Sequence, residues 1–304
     1  MSIFLFKELL EKKLNSTINI ENFKSFGEVS DIYKVISNNK AYILKVNTLE
    51  NYENFLKEKW CSDKCKEFNI ETPKIYFVDK TGLQSLLLLE FIEGINCFEL
   101  ENEELKNKIY KYLGVLSRKI SEISVSENIG DLKTVENTKR WFIEDYINFE
   151  IAQTESKNDY LIINQIDREK ILNNLYFIKD IKFEFSLCHG DLSLKNCLYN
   201  KERNKFILLD FGSAETQPKY YFELMLKWLE LNYDKTISEE NFMNFANGLL
   251  GENYNEWLKE NIKMIEAFAL LYVLDKYRWA HDRSTREWQD KYLLRLSGVL
   301  NLVR

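Results

Sequence analysis

Residues 188–200 read CHGDLSLKNCLYN, and residues 206–212 read FILLDFG. The first stretch predicts a loop that holds Asp191 and Asn196 five positions apart and then enters a short strand. A turn follows, after which an apolar strand ends at Asp210. Because a β-hairpin of this kind returns Asp210 close to Asn196, the sequence predicts that these two polar side chains share one site.

The three residues suit the transfer of a phosphoryl group. A carboxylate at Asp191 can orient an incoming hydroxyl and accept its proton, while the Asn196 amide oxygen and the Asp210 carboxylate can hold Mg²⁺ against phosphate oxygens. Taken singly, each residue is also typical of a turn cap or a strand end. The complete string, with this spacing, favours the phosphotransfer interpretation.

The same residues carry a resemblance to a known family. His189-Gly190-Asp191-Leu192, Asn196 and Leu209-Asp210-Phe211-Gly212 resemble the loops of the aminoglycoside phosphotransferase and choline kinase family. The resemblance implies a bilobal, protein-kinase-like α+β fold, with a small N-terminal antiparallel sheet plus one helix and a larger, mostly helical C-terminal lobe. It also implies an enzyme that uses ATP and Mg²⁺ to phosphorylate an alcohol group. Gly190 stands where protein kinases usually have arginine, which favours the small-molecule branch.

The N-terminal part carries the expected order of elements. The predicted elements are strands at 30–36 and 41–46, a helix at 50–69, and strands at 74–78 and 85–89. Beyond residue 94 apolar residues recur at three- and four-residue steps, which predicts helices. We therefore expect a nucleotide-binding lobe over residues 1–93, a hinge near 90–94, and a catalytic and substrate-binding lobe over residues 94–304.

Lys45 lies in the predicted strand at 41–46. The resemblance implies that it contacts the α- and β-phosphates of the nucleotide, and a compact ammonium suits that task. Such a lysine needs a carboxylate partner on the following helix. Glu53 and Glu58 are both candidates, and Glu58 is preferred because it precedes Pro73 by fifteen residues, a run that resembles the family's.

Two further segments complete the implied nucleotide site. A loop at 26–31 contains Gly27 and Ser30, and its backbone N–H groups can cradle phosphates. The segment after the fifth predicted element resembles the family's hinge. There the C=O of Glu90 and the N–H of Ile92 would bond the adenine edge, with Leu89 behind the base.

The acceptor site is expected on the C-terminal helices, because acids and aromatic rings that are placed together can hold a cationic or sugar-like ligand. The candidate acceptor-binding residues are Glu144, Asp145, Glu223, Trp279 and Asp282. The expected acceptor is a small hydroxylated molecule, either an antibiotic or a related metabolite. A metabolic kinase of choline or sugars, a protein kinase and a non-catalytic nucleotide-binding protein remain alternatives.

Composition and charge limit the classes of partner that we expect. With 42 Lys and Arg against 48 Asp and Glu, the chain has a net charge of −6, which disfavours a nucleic-acid partner. No apolar run approaches the length that spans a bilayer, and the apolar stretch at the N-terminus is too short for a signal-peptide core. Five cysteines without dense spacing fit a reducing compartment. We therefore expect a cytoplasmic protein with no membrane partner.

Overall fold

The structure is a computed structural model that describes residues 4–23, 30–156, 164–202, 204–283 and 286–303. It divides into two compact units. The first comprises Met1–Glu103, Glu127–Lys133 and Asp191–Glu215, and the second comprises Glu104–Ser126, Thr134–Gly190 and Thr216–Arg304. The segment that holds the predicted catalytic residues thus packs with the N-terminal elements. The predicted hinge at 90–94 stays a prediction.

A five-stranded antiparallel sheet forms most of the first unit, in the spatial order β1-β2-β3-β5-β4. The strands are β1 (Ile18–Asn22), β2 (Asp31–Ser37), β3 (Lys40–Thr48), β4 (Ile75–Thr81) and β5 (Gln84–Glu90). Helix α1 (Phe4–Leu14) precedes the sheet, and helix α2 (Tyr52–Glu67) connects β3 to β4. Neither α1 nor β1 is predicted from the sequence.

The two faces of this sheet are covered differently. On one face Tyr42, Leu44 and Val46 of β3 form a core with Phe6 and Leu10 of α1. On the other face Leu87 and Leu89 of β5 pack with Phe55 of α2. Because side chains alternate along a strand and Lys45 pairs in register with Leu87, Lys45 lies on the face that α2 covers.

A second, smaller sheet completes the first unit. It joins β6 (Ile95–Asn96), β8 (Cys197–Asn200) and β9 (Lys205–Leu208) in the order β6-β8-β9. Strands β8 and β9 form the predicted hairpin, with Cys197 opposite Leu208. One residue further along, the N–H of Leu209 donates to the C=O of Asn196 at 2.9 Å.

The second unit is built mainly of helices. They are α3 (Glu103–Ile120), α4 (Val135–Arg140), α5 (Ile147–Glu155), α6 (Gln165–Lys179), α7 (Tyr221–Asn232), α8 (Glu239–Leu250), α9 (Tyr254–Arg283) and α10 (Arg286–Leu302). A π-helical segment, Trp141–Tyr146, lies between α4 and α5. A two-stranded sheet of β7 (Phe185–Cys188) and β10 (Glu215–Pro218) accompanies them.

Helices α3 and α8 approach each other at two glycines. A methyl group built on Gly114 would lie 2.8 Å from the N atom of Leu249, and one built on Gly248 would lie 2.9 Å from the N atom of Val115. Both separations are too short for a real side chain, so the two backbones meet without one between them.

The predicted fold class, an α+β protein with an antiparallel N-terminal sheet and many helices, is confirmed. Within the described ranges, no helix has the combination of length and apolar character that crossing a membrane requires.

Candidate active site

Lys45 is bracketed by two carboxylates from different elements. Its Nζ lies 2.7 Å from Oε1 of Glu58 on α2 and 3.2 Å from Oδ1 of Asp210, which follows β9. We call these three residues the lysine triad. The Glu58 side chain is 6% exposed and that of Lys45 is 14% exposed, whereas that of Asp210 is 48% exposed. The triad is therefore closed on the helix side and open on the side of Asp210.

Burial and charge act against each other within the triad. Burial lowers the pKa of Lys45, but the two carboxylates outweigh it and raise that pKa above its ordinary value. Burial raises the pKa of Glu58 and outweighs the opposite effect of Lys45. Lys45 therefore stays charged throughout the physiological range.

The backbone presents Asp210 in an unusual conformation. Asp210 has φ 60° and ψ 80°, in the left-handed region, and its side chain accepts a hydrogen bond from the N–H of Gly212 at 3.3 Å. Aspartate and asparagine tolerate this region better than most residues, because their short polar side chains bond to nearby backbone. The conformation turns the chain out of β9 at the residue that contacts Lys45.

Asp191 and Asn196 are also brought together. The Asn196 Nδ2 donates to Oδ2 of Asp191 at 2.8 Å and to its C=O at 2.9 Å. Because the amide nitrogen is used in this way, the amide oxygen of Asn196 is the atom that can face a cation. The turn itself is held from beneath by the Nδ2 of Asn96, which donates to the C=O of Lys195 at 2.8 Å. Sequence reasoning missed Asn96, since a single asparagine in a two-residue strand carries no distinctive signal.

The remaining predicted nucleotide residues lie around the sheet. Ser30 Oγ accepts a hydrogen bond at 3.0 Å from Nδ2 of Asn47, which lies two positions after Lys45 on β3 and therefore on the same face. Leu89 is buried on that face, Glu90 is the last residue of β5, and Ile92 lies in the segment after it. Gly27 lies outside the described residues.

The acceptor candidates belong to the second unit. Glu144 and Asp145 are exposed in the π-helical segment, and Trp279 and Asp282 are exposed near the end of α9. Glu223 differs from them, because it is buried near the start of α7, where its Oε1 accepts a hydrogen bond from the N–H of Gly190 at 3.0 Å. Glu223 is thus an interior residue bonded to the backbone of Gly190 and is not exposed at a surface.

A buried ion pair in the second unit was not predicted. Glu150 on α5 is fully buried, and its Oε1 accepts a hydrogen bond from Nε of Arg278 at 2.8 Å. The same guanidinium contacts Oδ1 of Asp275 at 2.6 Å. The two partners lie 128 positions apart in sequence, so local patterns do not reveal the pair. We call Arg278, Glu150 and Asp275 the arginine triad.

Comparison with known proteins assigns the family. The family model described as fructosamine kinase matches residues 4–211. The chain belongs to the fructosamine kinase family. It is accordingly a small-molecule kinase, an ATP-dependent phosphotransferase whose acceptor is a hydroxyl group. The predicted relation to small-molecule kinases of the protein-kinase fold is confirmed.

Solved structures show the same fold over the full length of this kinase. A protein assigned as a fructosamine-3-kinase from Haemophilus somnus 129PT matches with a TM-score of 0.61 and 14% identity, over 99% of this chain and 97% of that chain. The aminoglycoside phosphotransferase APH(4)-Ia matches with a TM-score of 0.69 and 13% identity, over 99% of each chain. The spectinomycin phosphotransferase APH(9)-Ia, solved with ADP and spectinomycin, matches with a TM-score of 0.63 and 16% identity, over 100% and 98%. A search of curated protein sequences found no significant match.

Proposed function

We propose that the first unit binds Mg²⁺-ATP at the lysine triad and that Asp191 serves the acceptor hydroxyl. The observation that supports this most directly is the position of Lys45, whose ammonium lies between a buried carboxylate, Glu58, and a half-exposed one, Asp210. A buried partner fixes the lysine in place, and the open side leaves its charge available to phosphate oxygens. Ser30, the Gly27 loop, Leu89, Glu90 and Ile92 complete the proposed nucleotide site.

The residues at the metal site fit Mg²⁺. Asn196 and Asp210 offer an amide oxygen and a carboxylate, which are the hard oxygen ligands that this ion prefers. The hydrogen bond from the N–H of Leu209 to the C=O of Asn196 joins the residue before β8 to the residue before Asp210, at the open end of one hairpin. When bound, Mg²⁺ would neutralise charge on the phosphate oxygens.

Asp191 is the proposed proton acceptor. Its Oδ2 accepts a hydrogen bond from the Asn196 amide, which orients the carboxylate, and a positioned carboxylate can accept a hydroxyl proton. The exposed position of Asp191 at the start of the turn suits contact with an incoming substrate. Glu223 accepts a hydrogen bond from the N–H of Gly190, the residue before Asp191, and so stabilises the backbone at that point.

For the acceptor, family membership favours a hydroxyl on a sugar-derived amine of the fructosamine type. The exposed acids Glu144, Asp145 and Asp282 suit an amine, and the exposed indole of Trp279 suits the apolar face of a sugar ring. A cytoplasmic location and the lack of a nucleic-acid or membrane partner remain predictions from composition.

The test is ADP release across a panel of acceptors. The panel contains a fructose-amine adduct such as fructoselysine, several aminoglycosides, spectinomycin, choline and free sugars, each with and without Mg²⁺. We expect the fructose-amine adduct to stimulate ADP release, and we expect Asp191→Ala to lower that rate by about 10²- to 10⁴-fold.

The panel separates the parts of the proposal. If only an aminoglycoside stimulates ADP release, the proposed acceptor class is wrong and the proposed nucleotide site is unaffected. Full activity of Asp191→Ala with any acceptor would refute the role of Asp191, and full activity in EDTA would refute the metal site.

A further inference from the structure

The chain enters the first unit a second time through Glu127–Lys133, a segment between α3 and α4. It forms a tight turn, closed by hydrogen bonds from the N–H of Ile129 to the C=O of Leu132 and from the N–H of Leu132 to the C=O of Ile129, each 3.0 Å long. Leu132 is buried, and Gly130 and Asp131 form the tip. We call this feature the 129–132 turn.

The tip of the 129–132 turn lies directly against the start of α2. A methyl group built on Gly130 would lie 2.9 Å from the carbonyl carbon of Glu53 and closer still to its oxygen. Gly130 also has φ +58°, a conformation that residues with a Cβ rarely adopt. Glycine therefore allows the backbone of the turn to touch the backbone of the helix.

Asp131 forms an ion pair with α2 at Lys57, one helical turn after Glu53. Its Oδ1 lies 2.9 Å from Nζ of Lys57, whose side chain is 5% exposed, whereas that of Asp131 is 56% exposed. A lysine buried to this degree requires an anionic partner, because an unpaired ammonium is costly to remove from water. The 129–132 turn supplies that partner.

The spacing of these contacts along α2 matters. Glu53 and Lys57 are four residues apart and share one face of the helix, whereas Glu58 lies about 100° further round. The 129–132 turn thus holds the Glu53–Lys57 face, while the neighbouring face presents Glu58 to Lys45 at 2.7 Å. A helix that rotated or slid along its axis would break this short contact.

We propose that the 129–132 turn positions α2 for nucleotide binding, with Asp131 and Lys57 as positioning residues for the Lys45–Glu58 pair. The inference rests on the proposed function of Lys45 in binding phosphates. It assigns a role to residues far from the catalytic loops in sequence. It also gives a reason for Glu58, rather than Glu53, to face the lysine.

The test measures the affinity for AMP-PNP with Mg²⁺ by calorimetry, which needs no acceptor. We expect Asp131→Ala to weaken binding about tenfold and Lys57→Met, which removes the buried charge and keeps the volume, to do the same. Asp131→Glu keeps the carboxylate and should bind within threefold of the parent. The matched control is Asp63→Ala, which removes the contacts of an exposed acid on the same helix with Lys59 and Lys66.

Hydrogen exchange supplies a second readout that reports on the helix itself. In Asp131→Ala and Lys57→Met, the amides of α2 should exchange faster while those of β3 keep the parent's protection. In Asp63→Ala both should stay as in the parent. A loss of protection spread over the whole chain would point to general destabilisation and would count against a positioning role.

Failure of this inference and failure of the proposed function give different results. If Asp131→Ala and Lys57→Met bind AMP-PNP as the parent does while Lys45→Ala binds much more weakly, the positioning role is wrong and the nucleotide site stands. If Lys45→Ala binds as tightly as the parent, the proposed nucleotide site itself is wrong.

Discussion

The lysine triad and the arginine triad each combine one basic side chain with a glutamate and an aspartate, but their surroundings differ. Each places one cation between a buried glutamate and a more exposed aspartate, with N–O distances between 2.6 and 3.2 Å. In the lysine triad the three residues come from a strand, a helix and a loop. In the arginine triad, Arg278 and Asp275 lie three residues apart on α9, and Glu150 comes from α5.

The difference lies in what each cation can still bind. Arg278 packs its guanidinium 4.9 Å from the ring centre of Phe149, and its Nε and Nη2 already donate to the carboxylates of Glu150 and Asp275. Lys45 is fixed by Glu58, and its second partner, Asp210, is half exposed. We infer that the arginine triad contributes to the stability of the second unit, whereas the lysine triad prepares a charge for a ligand.

The sharpest test replaces the aspartate of each triad by asparagine. Asp210→Asn keeps a residue that tolerates the left-handed backbone but loses the carboxylate proposed for Mg²⁺. We expect kcat to fall about 10³-fold, the size of effect seen when an electrostatic group is removed from an active site. Asp275→Asn should keep kcat within threefold of the parent. Equal losses in the two variants, measured by ADP release, would remove the distinction between the triads.

A second test uses the pH dependence of stability. Burial raises the pKa of Glu150 from its ordinary 4.5 to about 7, against the opposite effect of Arg278. The folded protein therefore holds this proton more tightly than the unfolded chain does. The stability that results is complete below about pH 4.5 and is lost as the pH rises through about 7.

Between pH 5 and pH 8 the free energy of unfolding should fall by about 2.5 kcal/mol more in the parent than in Glu150→Gln. Urea unfolding at several pH values measures this difference. Glu136→Gln, an exposed glutamate on α4, serves as the control and should follow the parent. Parallel profiles for the parent and Glu150→Gln would show that Glu150 does not titrate in this range.

Removing the arginine should have a somewhat smaller effect. Arg278→Met leaves Glu150 buried without its partner, but the carboxyl can take up a proton. We therefore expect a loss of about 2 kcal/mol in the free energy of unfolding at pH 7, with the KM for ATP unchanged. A change in the KM for ATP without a change in stability would place the arginine triad in the nucleotide site.

The smallest effect is expected where the same kinds of charge are exposed. Asp63 contacts Lys59 and Lys66 on the outer surface of α2, with its side chain 45% exposed. Asp63→Ala should change the free energy of unfolding by about 0.5 kcal/mol or less, because exposed ion pairs are weak. Thermal unfolding checks this value. A loss as large as that of Arg278→Met would mean that burial is not what separates these groups.

Sequence reasoning located the parts of the site that depend on local structure. Asp191 and Asn196 lie five positions apart in one loop, and the hairpin of β8 and β9 returns the chain to Asn196 at Leu209, the residue before Asp210. Lys45 reaches α2 because strand alternation places it on the covered face. The contact of Asp191 with Asn196 and the strand position of Lys45 follow from local patterns, whereas the pairing of Lys45 with a helix glutamate was expected only from the family resemblance. The roles proposed for these residues depend on the experiments above.

The features that were missed depend on distant contacts or on short elements. The pairs Glu150–Arg278 and Lys57–Asp131 join residues 128 and 74 positions apart, and neither member stands in a recognisable motif. Strand β1 has five residues with a single buried one, which is too short for an alternating pattern. Helix α1 is fixed by packing of Phe6 and Leu10 against the sheet, a contact that its own sequence does not reveal.

The close approach of α3 and α8 limits which amino-acid substitutions this protein can accept. At most buried positions a larger side chain can be compensated by a smaller neighbour, because both partners are side chains. At Gly114 and Gly248 the facing atoms are backbone, which no substitution can shrink. Every residue other than glycine would force the two helices apart. Libraries that diversify the second unit should therefore keep both glycines fixed and introduce variation elsewhere on these helices.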